Sequence, residues 1–386
     1  MLTMYKKLFL SSITTFFLLV ISHMLILIII DPISISKVEL VDKEFYIKEM
    51  RFQAAGIINN TSFDSAIVGT SMAENFNVGE ASELLGGGFV NLSLPGGLLK
   101  EREIILKYLL AKHDMKTIII SLDGATDLQR NKGVPLDAWS YLYNDSYLDD
   151  LTLYTNSKYL PYVSCHSFFN NKVSAVVLGE CPEEKTRKSI GELTEWQSLK
   201  SHNSRFGGID KWERYKNNAQ VKVSIDSIIE AELILDKKLN RMTNVDEIYD
   251  YEQFSRYILP LVRKHPNTKF ILFFPAYSLA KYAIDYQTNR DEFDGYKAFV
   301  KKVALNSDNY ENIDLYWFND HDFVEDISNY KDLTHYSAEF NSMFLNDFMI
   351  KKSIMNAHNY NTQLLLLEKK AKEFDLKLLA ETFKSQ

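Results

Sequence analysis

Short apolar runs alternate with longer amphipathic segments along most of the chain, and this alternation predicts strands and helices in turn. Apolar runs that end at glycine, proline or aspartate are typical of buried parallel strands. The predicted strands cover residues 66–68, 89–94, 117–122, 269–274 and 313–318. Apolar residues recur at helical spacing between and after these runs. The predicted helices include residues 99–113, 225–239, 252–264, 296–305 and 337–349.

Strands that alternate with helices predict an α/β fold with a parallel sheet and right-handed crossovers. About five such strands with flanking helices predict a flavodoxin-like three-layer α/β/α sandwich. The alternation stops after the third strand and resumes before the fourth, so residues 126–250 are predicted to be an insertion that covers the site. The predicted domain spans residues 61–355 and follows a linker at 32–60. Residues 356–386 carry leucines interleaved with Lys and Glu, which predicts one amphipathic helix docked on the domain.

An apolar run near the start of the chain, residues 8–30, contains no Asp, Glu, Lys or Arg. About 23 residues at ~1.5 Å each give roughly 34 Å, enough to cross a hydrocarbon core of ~30 Å. Lys6 and Lys7 precede the run, so residues 1–31 are predicted to be a cytoplasmic stub and an uncleaved transmembrane anchor. The rest of the chain then lies outside the cytoplasm, in the periplasm or at the cell surface. A cleaved signal peptide is the alternative, but no small-x-small cleavage site follows Ile30.

Composition and charge exclude some classes of partner. With 386 residues, 46% of them apolar, the chain is long enough for a packed core. A formal charge of -7 and the lack of a basic run argue against a nucleic-acid partner.

Cys165 and Cys181 form a possible disulfide in an exported domain, and two unpaired buried thiols are the alternative. The sequence contains no Cys-x-x-Cys pair or His/Cys cluster, so no metal or cofactor is expected.

Gly69-Thr70-Ser71 follows the first predicted strand, so Ser71 lies just beyond the carboxyl end of that strand. Gly69 permits a tight turn, and Ala73 leaves room beside the sheet. A residue that follows such a strand faces the crevice in which open α/β sheets bind ligands. Ser71 is therefore a candidate nucleophile. A serine that caps the following helix is the alternative.

An Asp-x-x-His pair follows the last predicted strand and precedes a helix. Asp332 is able to reach the Nδ1–H of His335 across one turn, which fixes the tautomer of the imidazole. The Nε2 atom is then free to accept a proton from a serine. The alternative is that Asp332 only caps the following helix and that His335 is a solvated surface residue.

Gly-x-Ser after the first strand, together with Asp-x-x-His before a late helix, resembles the SGNH/GDSL family of esterases and acyltransferases. The resemblance covers most of residues 60–350. It implies that Ser71 is the nucleophile, His335 the base and Asp332 the residue that orients the base. It also implies an oxyanion hole formed by the backbone N–H groups of Ser71 and of Gly96 or Gly97. A plain turn is the alternative for these two glycines.

The third block of the family normally offers an asparagine side chain to the oxyanion, and this sequence has Asp123 instead. An ionised carboxylate repels an oxyanion, so we expect Asp123 to be a pocket residue that is protonated, turned away or bound to another group. The departure resembles a membrane-anchored, extracytoplasmic subset of the family that modifies cell-envelope polymers. That subset includes the alginate acetylation proteins and the protein that helps to D-alanylate teichoic acids. The N-terminal anchor and the segments 270–277 and 330–336 resemble the same subset.

The resemblance implies a serine acyltransferase or esterase that acts on O-acyl groups of a cell-envelope polysaccharide or polymer. Its implied partners are the membrane, that polymer and a multi-pass membrane acyltransferase. A catalytically weak envelope protein that binds a glycan or such an acyltransferase is the second hypothesis. An α/β-hydrolase fits less well, because too little chain precedes Ser71 to form the earlier strands of that fold. Aromatic residues of the insertion, such as Trp139 and Trp212, are expected mostly in the core, with sugar stacking as the alternative.

Overall fold

The computed structural model describes most of the chain outside the long insertion. The described residues are 2–30, 35, 45–46, 49–123, 134–157, 159, 185–186, 205–235 and 252–385. Cys165 and Cys181 lie outside them, and so does the predicted disulfide.

The described strands and helices alternate over most of the chain, as the sequence pattern predicts. The strands are β1 (Phe45–Tyr46), β2 (Ser65–Val68), β3 (Phe89–Asn91), β4 (Thr117–Ser121), β5 (Lys185–Thr186), β6 (Lys269–Phe274) and β7 (Ile313–Trp317). The first helices are α1 (Leu2–Ile30), α2 (Met50–Asn60), α3 (Val78–Leu85), α4 (Leu99–Lys112) and α5 (Tyr147–Asp150). The later helices are α6 (Ile209–Arg214), α7 (Ala219–Ile234), α8 (Leu259–Lys264), α9 (Leu279–Thr288), α10 (Arg290–Ser307), α11 (Ala338–Ile350), α12 (Tyr360–Glu373) and α13 (Leu376–Lys384). A π-helical turn, Phe254–Ile258, precedes α8.

The chain divides into two compact units, and the first consists of Met1–Thr61 and Val134–Ser189. It contains α1, α2, α5 and the antiparallel pair of β1 with β5. Within α1, the window Met4–Ser22 is long and apolar enough to cross a membrane, and its residues are exposed. The predicted linker contains α2, most of whose residues are buried. Most of the predicted linker and part of the predicted insertion therefore belong to the first unit.

The second unit, Ser62–Gly133 with Ile190–Gln386, is built on a five-stranded sheet in which all neighbouring strands are parallel. The strand order is β3-β2-β4-β6-β7. The prediction of an α/β fold with about five parallel strands is thus confirmed. Chain connections run in opposite directions on the two sides of β2, so the carboxyl ends of β2 and β4 flank a crevice.

Adjacent side chains of β6 pack on different helices because successive residues of a strand point to opposite faces. Phe273 lies near Phe344 of α11, with ring centroids 6.0 Å apart. Phe274 meets Phe299 of α10 edge to face, with ring centroids 6.0 Å apart. All four rings are fully or almost fully buried. Both faces of β6 are therefore covered, as expected for an interior strand of a parallel sheet.

The C-terminal segment differs from the single amphipathic helix that the sequence predicts. It forms two helices, α12 and α13, because Asp375 caps a new helix and accepts a hydrogen bond from the Leu378 N–H at 2.9 Å. The side chain of Gln287, on α9, donates to the carbonyl groups of Ala371 and Phe374. The segment is thus docked on the second unit.

Candidate active site

Ser71 stands where the chain leaves β2 and enters a turn over residues 71–75, before α3 begins. Gly69 donates its N–H to Ser93 Oγ at 3.1 Å, which places the segment after β3 beside this turn. A Cβ atom on Gly69 would lie 2.5 Å from the Cβ of Ala73 and 2.6 Å from Ser121 Oγ. The turn therefore requires glycine at position 69. Ser71 does not cap the following helix, because α3 begins only at Val78 and Asn77 is its cap.

The structure brings the three predicted catalytic side chains into one hydrogen-bonded line. Ser71 Oγ lies 2.9 Å from His335 Nε2, although 264 positions separate the two residues. His335 Nδ1 lies 2.8 Å from Asp332 Oδ2 and 2.9 Å from Oδ1. Asp332 is only 2% exposed, whereas Ser71 and His335 are half-buried and open to a substrate. A carboxylate at Nδ1 favours the tautomer in which Nε2 accepts the serine proton.

The environment of Asp332 keeps its carboxyl group ionised. Burial alone would raise its pKa, but hydrogen bonds from the His335 ring, the charge of that ring and the backbone N–H groups of Thr334 and His335 outweigh burial. The net effect holds the pKa of Asp332 well below its ordinary value. The carboxylate is therefore available to orient the imidazole at every pH at which that ring acts as a base.

Substitution of Asp332 by asparagine is expected to destabilise the protein by about 1–3 kcal/mol near neutral pH, because a charged hydrogen-bond acceptor is lost. Since the folded-state pKa is depressed, this stability is present above the unfolded pKa, near ~3.9, and is lost as pH falls through the folded pKa. We expect the difference in unfolding free energy between wild type and Asp332→Asn to shrink from pH 5 to pH 2.5. Urea unfolding of the full chain in detergent measures it. A difference that stays constant over this range would contradict the ionisation argument.

Asp226→Asn is the matched control for that experiment. Asp226 lies on α7 with its side chain 47% exposed, and it pairs only with Lys222, which is itself 64% exposed, among the contacts described for it. Exposed ion pairs contribute little to stability. The control is therefore expected to show no measurable pH-dependent difference from wild type.

Two helices from the predicted insertion hold the loop 330–336, which carries Asp332 and His335. Trp212 of α6 donates its indole N–H to the Tyr330 carbonyl at 2.8 Å. Ser224 of α7 accepts a hydrogen bond from the Leu333 N–H at 3.1 Å. Trp212 is fully buried, so its role is to support the loop, and it is not placed to stack on a sugar.

Tyr336 links the loop of the base directly to the turn of the nucleophile. Its hydroxyl donates to the Met72 carbonyl at 2.9 Å, one residue after Ser71. Burial first, and then the charge of Asp123, raise the pKa of Tyr336 well above its ordinary value. The hydroxyl therefore stays protonated and keeps donating. This contact fixes the distance between the two segments that carry Ser71 and His335.

Asp123 is buried and bound to other groups, which is one of the three alternatives that its position predicts. Its carboxylate accepts hydrogen bonds from the hydroxyls of Thr70 and Ser121. Arg102 donates to the carbonyls of Ser121 and Asp123, and its guanidinium lies 3.9 Å from the carboxylate. Thr70 Oγ1 in turn accepts the Met72 N–H at 3.2 Å. Asp123 is thus a positioning residue for the turn of Ser71, and Arg102 balances its charge.

Arg102 is the residue of this network that the sequence analysis misses. It is fully buried on α4, where burial lowers the pKa of its guanidinium and the charges of Asp123 and Glu101 act in the opposite direction. A signal does exist in the sequence. Arg102 comes four residues after Leu98 and three before Ile105, so it lies on the apolar face of the helix. An arginine at such a position indicates a buried acidic or carbonyl partner.

The structure shows which of the predicted oxyanion donors already make another hydrogen bond. Gly97 donates its N–H to the Leu94 carbonyl at 2.8 Å, so this N–H is engaged in a turn, the alternative that the sequence leaves open for this glycine. Gly96 is exposed with φ +61°, a left-handed conformation that favours glycine. Neither the Gly96 N–H nor the Ser71 N–H donates a hydrogen bond to any described residue. These two groups remain the candidate oxyanion donors.

The arrangement suits nucleophilic chemistry at serine. A hydroxyl, an imidazole and an ionised carboxylate stand in hydrogen-bonded order, and a tyrosine contact holds their segments together. Among the residues that the structure describes, no group of three or more His, Cys, Asp or Glu side chains is placed to hold a metal ion. What these residues are able to do is accept and return a proton while Ser71 Oγ forms a bond.

Comparisons with known proteins assign no family to the chain. No protein-family model matches it, and no curated protein matches it.

Proposed function

We propose that the chain is a membrane-anchored serine acyltransferase or esterase of SGNH type, acting outside the cytoplasm on O-acyl groups of a cell-envelope polysaccharide or polymer. The observation that carries the proposal is the line of hydrogen bonds from Asp332 through His335 to Ser71 Oγ. Read in chain order, the five strands of the sheet have the order 2-1-3-4-5, which is that of flavodoxin-like sheets. That order supports the three-layer fold implied by the resemblance.

In the first half-reaction, Ser71 Oγ attacks the acyl carbonyl carbon while His335 Nε2 accepts the serine proton. Asp332 stabilises the imidazolium that forms. The negative oxygen of the tetrahedral intermediate accepts hydrogen bonds from the N–H groups of Ser71 and Gly96. The intermediate collapses, the bond to the donor alcohol breaks, and that alcohol leaves with the proton from His335. Ser71 then carries the acyl group as an ester.

In the second half-reaction, His335 removes a proton from an acceptor hydroxyl, and the acceptor oxygen attacks the acyl-serine carbon. The bond to Ser71 Oγ breaks, and the proton returns from Nε2 to that oxygen. Water in the acceptor position gives an esterase, and a sugar hydroxyl gives a transferase. The positive charge of Arg102 compensates the charge of the Asp123 carboxylate, so Asp123 repels the developing oxyanion less.

The N-terminal helix supports the proposed location. Its window Met4–Ser22 meets the length and apolarity of a membrane span, and Lys6 and Lys7 lie at its start. By the positive-inside rule the start of the chain is cytoplasmic, so the second unit is outside. Envelope polymers are substrates that an enzyme in this position can reach.

The acyl-enzyme itself is the test of the proposed function. The full chain in detergent is mixed with p-nitrophenyl acetate and quenched in acid after a short delay, and its peptides are mapped by mass spectrometry. We expect one acetyl group on the peptide that contains Ser71. Ester turnover with Ser71 left unmodified would overturn the proposal, and so would no turnover at all, which is the outcome that the catalytically weak binding protein predicts.

A further inference from the structure

A cleft of about 530 Å³ lies next to the proposed base. Its walls come from α7, from α9 and from residues 332–335 of the loop that carries His335. The volume falls in the range of pockets that bind small molecules or a few units of a polymer. All of its described lining belongs to the second unit.

The cleft reaches the base but not the nucleophile. His335 and Thr334 are among the residues that line it, whereas Ser71 is absent from its described lining. An acyl chain is carried on Ser71 Oγ, so it would occupy space around that residue. An acceptor has the other requirement, because its hydroxyl must be deprotonated by His335. The position of the cleft therefore suits the acceptor better than the acyl group.

The described lining of the cleft offers no unpaired positive charge. Lys281 Nζ contacts both carboxylate oxygens of Asp285, at 2.6 and 2.5 Å. Asp332 is hydrogen-bonded to the His335 ring, which is neutral when it acts as the base, so Asp332 keeps its negative charge beside the cleft. Lys281 is the only lysine or arginine of the described lining, so no cation there is left to bind an anionic group. A polymer that carries phosphate or carboxylate groups needs free lysine or arginine side chains to bind it.

The remaining polar groups of the cleft are neutral. Gln220 is exposed, and its side-chain amide makes no hydrogen bond to the residues that the structure describes. Ser227 and Thr334 add hydroxyl groups, and Val223 adds an apolar surface that is 64% exposed. Amides and hydroxyls beside aliphatic surface match the hydroxyls and C–H groups of a sugar ring. The formal charge of -7 for the whole chain also opposes a polyanion.

We propose that this cleft is the acceptor site, and that its occupant is an uncharged, hydroxyl-rich glycan. The inference rests on the proposed function and adds the substrate class to it. A glycan hydroxyl in the cleft gives its proton to His335 Nε2, its oxygen forms a bond to the acyl carbon, and the bond from that carbon to Ser71 Oγ breaks. The proton then moves from Nε2 to Ser71 Oγ, so that the enzyme returns to its starting state.

The test compares two tryptophan substitutions on α7. Val223→Trp fills the cleft, whereas Leu233→Trp adds the same side chain at a position on the same helix that is 61% exposed and outside the described lining. The full chain in detergent receives acetyl groups from p-nitrophenyl acetate with maltohexaose as the neutral acceptor. Acetylation of Ser71 and acetylation of maltohexaose are measured separately by mass spectrometry. We expect the ratio of transfer to Ser71 acetylation to fall at least tenfold in Val223→Trp and to stay within twofold in Leu233→Trp.

Two further measurements keep the inference falsifiable if Val223→Trp does not fold. Gln220→Ala, at an exposed position, is expected to raise the half-saturating concentration of maltohexaose at least threefold. In wild type, transfer to maltohexaose is expected to be at least tenfold more efficient than transfer to hexagalacturonate, and independent of salt between 50 and 300 mM.

The failures of the two proposals are distinguishable. If Ser71 is not acetylated in wild type, the proposed function fails, and this inference fails with it. If Ser71 is acetylated but transfer is unaffected by Val223→Trp and Gln220→Ala, or hexagalacturonate is the better acceptor, only the assignment of the cleft is overturned. Acetyl-Ser71 that passes its acetyl group to water alone, in the presence of either glycan, overturns it as well.

Discussion

Substitution of His335 by alanine is expected to lower kcat/KM for p-nitrophenyl acetate about 10²–10⁴-fold, which is the usual contribution of a positioned general base. Ser71→Ala is expected to reduce turnover to the background rate, because it removes the atom that forms the acyl bond. The 2.9 Å contact of Ser71 Oγ with His335 Nε2 makes the two side chains one functional unit. The double variant is therefore expected to be no slower than Ser71→Ala alone.

The matched controls for these variants are a serine and a histidine outside the site. Ser62 is exposed just before β2, and His358 is exposed between α11 and α12. Ser62→Ala and His358→Ala are expected to keep the wild-type rate within a factor of two. Full activity in Ser71→Ala would be incompatible with catalysis at this site. If His335→Ala reacts at the wild-type rate while Ser71→Ala is inactive, only the assignment of His335 as the base is wrong.

Substitution of Arg102 by methionine is expected to destabilise the protein by about 3–5 kcal/mol, the usual effect of removing one partner of a buried ion pair. The guanidinium is fully buried and donates to the carbonyls of Ser121 and Asp123. Methionine fills similar space but donates nothing, so the Asp123 carboxylate loses the positive charge beside it and two carbonyl groups lose a donor. Because Asp123 holds Thr70 in the turn of Ser71, acetylation of Ser71 is expected to slow in the same variant.

Urea unfolding of the full chain measures this effect, with Lys100→Met as the matched control. Lys100 lies on the same helix as Arg102 but is exposed, so its substitution is expected to cause no measurable change. If Arg102→Met does not fold, Arg102→Lys gives a milder test, because lysine keeps the charge but cannot hold both carbonyl groups. Stability equal to wild type in both Arg102 variants would show that the network is not needed.

The strands of the sheet and the catalytic line could be predicted from the sequence because their signals are local. The run 269–274 is apolar after Lys269 and is followed by Pro275, and β6 has the same bounds. Ser71 was found from the end of a strand, and Asp332 with His335 from a spacing of three residues. The parallel sheet then brings residues from distant parts of the chain to one edge.

Other features could not be predicted because they depend on contacts between distant segments. The hydroxyl of Tyr336 donates to the Met72 carbonyl, a backbone group that carries no sequence signal. The turn that engages the Gly97 N–H was indistinguishable from an open loop at the level of sequence. The cleft requires α9, which begins after the Ser278 cap, and α7, whose start lies six residues before the predicted one. Pairing within a lining is a tertiary property, so the sequence does not show that Lys281 is engaged by Asp285.

The most direct measurement of the central claim is the rate at which a fluorophosphonate probe labels Ser71 in wild type and in His335→Ala, followed by peptide mapping. If His335 activates Ser71, wild type forms one adduct, on Ser71, and His335→Ala forms it at least a hundredfold more slowly. Equal rates in the two proteins, or an adduct elsewhere with Ser71 untouched, would contradict the claim.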